Sequence, residues 1–158
     1  MKSVVFRRIP ASRSRGFTLI ELIVATAILV ILTGLAVPMA RVAIKREKER
    51  ELRHDLWQLR DAIDRYKDAA DRQAFQSKVG TEGYPPDLET LVTGVDVGGK
   101  KVRFLRKIPT DPMTNNTDWG LRSMQDDPTS DSWGGQNVFD VFTKARGTAL
   151  DGTEYKDW

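Results

Sequence analysis

The chain contains no cysteine and a single histidine. Without cysteine there is no disulfide framework, no thiolate metal site and no thiol nucleophile. His54 alone makes no His-rich metal cluster, and its place in a strongly charged stretch reads as a solvated helix residue. Proline and glycine are missing between Ala40 and Gly80, so nothing there breaks a helix. The 158 residues give room for about one domain, which leaves out a multidomain enzyme. The net charge of +3 is misleading, because Lys2, Arg7, Arg8, Arg13 and Arg15 all lie in the first sixteen residues and the rest of the chain carries −2. No part of that remainder reads as the Lys/Arg run with interleaved aromatics that a nucleic-acid surface needs, so no nucleic-acid partner is expected.

What is present divides the chain into a cationic leader, residues 1–16, an apolar run, residues 17–40, an amphipathic stretch, residues 41–79, and a C-terminal region, residues 80–158. From Phe17 to Ala40 the only departures from small or apolar residues are Glu21 and three threonines. The run is long enough to span a bilayer, since about 20 helical residues cover a hydrocarbon core of roughly 30 Å. Five cations before it hold the N-terminus in the cytoplasm by the positive-inside rule, although Arg41, Lys45 and Arg46 follow closely. The run is too long for an ordinary secretory signal. A plain single-span anchor accounts for its length but leaves the carboxylate at Glu21 unexplained.

From Arg41 to about Val79 the pattern predicts a charged helix. Leu52, Leu56, Leu59, Ile63, Tyr66 and Ala70 alternate spacings of four and three, one helical stripe. Glu49 with Arg53, Asp61 with Arg65, and Asp68 with Arg72 place an acid four residues before a base. The spacing predicts one continuous helix, with a kink or local loosening at Gly34 and Pro38, because Pro38 has no amide donor and crowds the carbonyl of Gly34. Beyond Gly80, loop punctuation alternates with a short helix N-capped by Asp87 and strand candidates Val102 to Leu105, Trp119 to Met124 and Val138 to Thr143. The expected fold class is α+β, a long N-terminal helix packed against a small antiparallel sheet.

The run Arg15-Gly16-Phe17-Thr18-Leu19-Ile20-Glu21-Leu22 resembles the class III signal of type IV pilins and pseudopilins almost letter for letter. The resemblance implies cleavage after Gly16 by a membrane prepilin peptidase and N-methylation of Phe17. Pro38 stands at the family's usual position for a helix-interrupting proline. The resemblance further implies that Glu21 of an incoming subunit pairs with the Phe17 amine of a neighbour in a homopolymeric filament. Physics agrees independently: an acid within a membrane helix costs roughly 2.5 to 3.5 kcal/mol on insertion scales and needs a partner, and a mispaired buried charge is uncompensated.

Less strongly, Tyr84-Pro85, Leu88 to Leu91, Lys107 to Pro112 and Trp158 resemble the major pseudopilin, the G type, of type II secretion systems. Where that family has Asp-Pro-Trp-Gly, this chain has Asp111-Pro112-Met113-Thr114, with Trp119-Gly120 later, so an insertion alters the loop. The resemblance implies a structural subunit of a periplasmic pseudopilus, anchored in the bacterial inner membrane. Its partners would be minor pseudopilins and the inner-membrane assembly platform with its ATPase. A pilin of a surface type IV pilus, major or minor, is the alternative; such pilins usually staple their C-terminal loop with a disulfide, which this chain cannot make. Major pseudopilins resemble one another in binding calcium instead. By that resemblance Asp151 and Asp157 are candidate calcium ligands, with backbone carbonyls of Thr153 and Tyr155 completing the shell. An enzyme is not expected. Ser123, Ser130 or Ser132 with His54 makes a poor triad, because no nucleophile-elbow spacing surrounds any of them.

Overall fold

The computed structural model describes residues 16–158. Most of the leader, residues 1–15, lies outside the described residues. The chain divides into two compact units, one ending at Arg41 and the other Val42–Trp158. Helix α1, Leu19–Asp71, forms the described part of the first unit and continues into the second.

In the first unit every residue with a described side chain is exposed, including Leu19, Ile20, Leu29, Val30 and Ile31. This is a helix long and apolar enough to cross a membrane. Two of its threonines turn their hydroxyls back onto the preceding turn, Thr26 to the carbonyls of Leu22 and Ile23 and Thr33 to that of Leu29, so neither presents an unsatisfied donor. Helical structure runs through Gly34 and Pro38 without a break.

In the second unit the expected stripe of α1 is the floor of the core. Leu52, Leu56, Leu59, Ile63 and Tyr66 are all at most 3 % exposed. Ala62 joins them, while Ala69, not Ala70, continues the stripe. The helix ends at Asp71 rather than near Val79, and local hydrogen bonds give the reason. Gln73 adopts φ 56°, its amide donates to the Ala70 carbonyl, and the Ala74 amide donates to Ala69. These two bonds form a Schellman motif with an unusual non-glycine residue in the left-handed position.

Above this floor, α2, Leu88–Thr93, begins where expected. Asp87 accepts from the Thr90 amide at 2.7 Å, and Leu88 and Leu91 turn inward. Two antiparallel strand pairs follow. Strand β1, Val95–Val97, pairs antiparallel with β2, Lys100–Val102, across Gly98-Gly99, whose positive φ angles of 59° and 81° suit a two-residue hairpin turn. Strand β3, Gly120–Arg122, pairs antiparallel with β4, Asp140–Phe142. The last two lie inside the expected segments. The strand expected over 102–105 ends at Val102, because Phe104 and Leu105 sink into the core and both donate their amides to the Leu91 carbonyl at the end of α2. Trp119 is buried, with its indole donating to the Pro109 carbonyl. The altered loop folds around the fully buried Asp111, which accepts from the amides of Met113 and Thr114 and from the Thr143 hydroxyl. Among the described residues the fold is α+β, with two two-stranded antiparallel sheets in place of one.

Candidate functional site

At the start of α1, Thr18 stands as N-cap and Glu21 three residues on. The Glu21 amide donates to the Thr18 hydroxyl at 3.3 Å and the Thr18 amide to the Glu21 carboxylate at 3.5 Å. These reciprocal contacts form a capping box, legible in the sequence as Thr-x-x-Glu. The carboxylate thus lies beside the first exposed amides of the helix, where its negative charge is also favoured by the helix dipole. Gly16 and Phe17 precede the helix, and both are exposed. A Cβ at Gly16 would meet nothing within 4 Å, so the glycine there answers no packing demand. Pro38 is exposed within α1.

At the other end of the chain, the turn leading to Trp158 is fastened by residues spaced four apart on α1. Lys45 donates to the Thr148 carbonyl, Glu49 accepts from both the Leu150 amide and the Tyr155 hydroxyl at 2.9 Å, and Arg53 reaches Asp151 at 2.7 Å. The Arg53 guanidinium also sits 3.9 Å from the centre of the Trp158 ring. One turn and more beyond, Arg60 donates to the Trp158 carbonyl and pairs with Asp140 of β4. The expected Glu49–Arg53 pair does not form, since both side chains are engaged by the C-terminal turn; the Asp61–Arg65 and Asp68–Arg72 pairs do form.

This geometry bears directly on the expected calcium ligands. A calcium ion takes 6 to 8 oxygens. Here one Asp151 oxygen accepts from the hydroxyl and amide of Thr153 while the other accepts from Arg53. The Thr153 carbonyl accepts from the Ala149 amide, and the Tyr155 carbonyl from that of Trp158. Among the described residues no three His, Asp or Glu side chains gather as a metal site. As arranged, the Asp151 oxygens and the two carbonyls are all engaged by donors within the chain, and the cation facing Asp151 is a guanidinium.

The donors around Asp151, first the Thr153 hydroxyl and amide and then Arg53, hold its carboxyl below the ordinary value. Burial, with the Glu49 carboxylate as hydrogen-bond acceptor, pushes the Tyr155 hydroxyl up to about 12. Asp55, buried on α1 beside Glu51, is raised chiefly by burial.

The serines and His54 are not brought together as a triad. Ser123 is buried and donates to the Asn137 carbonyl, Ser130 and Ser132 bond each other, and His54 is exposed on α1. Lys100, Lys101, Arg103, Arg106 and Lys107 are all exposed within eight residues, a basic run with one interleaved aromatic. Their intervening Phe104 is buried, so it offers no stacking face for a base.

Residues 11–37 match the model of the prokaryotic N-terminal methylation motif. No curated protein and no solved structure matches the chain. The matched segment takes in Gly16, Phe17, Glu21 and most of the apolar part of α1, so the chain carries a prokaryotic N-terminal methylation motif at the start of its apolar helix.

Proposed function

We propose that this chain is the main structural subunit of a periplasmic pseudopilus in type II protein secretion. Prepilin peptidase cuts it after Gly16 and methylates the Phe17 amine. The apolar part of α1 holds it in the inner membrane with its N-terminus cytoplasmic and the second unit in the periplasm. An assembly platform and its ATPase then polymerise it, together with minor pseudopilins, into a filament that drives folded exoproteins outward. The observation that carries this reading is Glu21, the lone ionisable side chain of an exposed apolar helix, four residues from the terminus that cleavage creates. An intramembrane acid without a partner is costly, and the new amine is the nearest complement.

Intact-mass measurement of membrane-extracted chain tests the processing. The expected species lacks residues 1–16 and carries one extra methyl group on Phe17; a full-length mature chain overturns the reading. A deletion strain separates the two filament roles. Exoproteins accumulating in the periplasm support the pseudopilus, which the absence of a cysteine-stapled loop favours. Normal secretion with loss of surface fibres assigns a type IV pilus instead.

A further inference from the structure

We propose that the basic edge Lys100–Arg106 of one subunit docks the acidic loop Asp126–Asp131 of a second copy of this chain. The inference rests on the filament reading above and names a contact made by the second unit. The cations occupy strand β2, whose three residues are all exposed, and the segment just after it. Arg103 and Arg106 line an open depression together with Arg65 and Gln58. Arg65 points its guanidinium to Asp61 and the Phe104 carbonyl, which fixes one wall. Among the described residues, Lys100, Lys101, Arg103 and Arg106 form no ion pair, although Asp55 lies close enough to Lys107 to feel its charge. Planar guanidinium groups around a recess match carboxylates in two-point hydrogen bonding.

The complement is on the same chain. Between Arg122 and Lys144 there is no basic residue, while Asp126, Asp127 and Asp131 fall within six positions. Asp127 and Asp131 are exposed, and none of the three forms an ion pair among the described residues, although Asp131 lies close enough to Lys156 to feel its charge. Their loop is ordered from within, by Asp126 accepting from the Ser123 and Gly134 amides and Asp127 from Thr129. Those donors leave the negative charge in place and hold both carboxyls below their ordinary value. Two different patches of opposite sign, neither forming an ion pair among the described residues, are what a head-to-tail contact requires, and such contacts build open helical filaments where the rotation does not close. Charges at a rim of this kind add register and partner choice to the apolar association of the helices. The buried Phe104 argues against a nucleic acid as the occupant, since no aromatic face is offered to bases.

The test uses the full chain in its own membrane, with polymer recovered by shearing and sedimentation. In K101E/R103E/R106E the recovered polymer should fall by about tenfold, and adding D126K/D127K to the same chain should restore it. Because the chain has no cysteine, an R103C/D127C variant should give an oxidation-dependent ladder of multimers, while either single cysteine should not. A parent that polymerises while K101E/R103E/R106E polymerises equally well overturns this contact and leaves the filament reading standing. A parent that forms no polymer overturns both. Parent-like polymer with lost binding to phosphatidylglycerol vesicles assigns the edge to the membrane surface and also overturns the proposal.

Discussion

Arg53 meets Asp151 at 2.7 Å across 98 residues of sequence, with its guanidinium stacked over the ring of Trp158. A side chain on the helix thereby closes the last turn of a chain that has no disulfide to do so. The Trp158 indole donates in turn to the Thr153 hydroxyl, and that hydroxyl to Asp151, so the four groups form one connected network.

Arg53→Gln removes the charge and the cation–π contact, and should lower the melting temperature of the fragment from Val42 onward. With Arg53 in place, calcium and chelator should give coincident melting curves. A calcium-dependent rise would mean that the ion displaces the guanidinium and would carry the expectation of a calcium site at Asp151 and Asp157. The Asp151 carboxyl is held below its ordinary value, so its contribution to stability is present above the unfolded value of about 3.9 and is lost as pH falls through the folded one. Asp151→Asn should therefore flatten the acid limb of stability against pH.

The Tyr155–Glu49 hydrogen bond predicts the opposite limb. The folded hydroxyl is raised to about 12, against an unfolded value of about 10. The folded state holds this proton more tightly, so the stabilisation is complete below pH 10 and fades as pH rises towards 12. Tyr155→Phe should be less stable at pH 7 and should lose less of its remaining stability over that interval, as read by urea midpoints at stepped pH.

Glu21 has two partners to be told apart, the Thr18 amide seen here and the Phe17 amine that processing would create. Glu21→Gln keeps a hydrogen-bond acceptor for the cap but carries no charge. It should insert into the membrane at least as well as the parent and yet yield little sheared polymer, as Glu21→Ala should. Normal polymer from Glu21→Gln would make the carboxylate a helix cap and nothing more.

Gly120 on β3 is packed beneath Phe142 of β4, where an added Cβ would stand 2.4 Å from the ring. Gly120→Ala forces that buried ring aside and should cost about 1 to 3 kcal/mol by chemical denaturation, the usual range for overpacking. Gly135→Ala, with open space around its Cβ but a φ of 78°, tests strain alone and should cost less. A Gly120→Ala chain as stable as the parent would show that Phe142 is free to move.

The sequence by itself determined much of what depends on residues within a turn or two of one another, though not the end of α1 at Asp71. The apolar stripe from Leu52 to Tyr66, the Asp87 cap and the apolar run with its single acid all follow from helical spacing and hydrogen bonds three or four residues long. Thr18-x-x-Glu21 and Gly98-Gly99 were equally local signals, one for a capping box and one for a hairpin. Tertiary structure decided the rest, because the energies of competing surface pairs are nearly equal in water and only folding brings the remote competitors close. Glu49 has Arg53 four residues away, yet it binds Leu150 and Tyr155, more than one hundred residues on. Asp151 has acidic neighbours that read as a metal loop, yet the fold presents it with Arg53. In each case the partner is fixed by where the core holds the backbone, and no spacing along the chain encodes that.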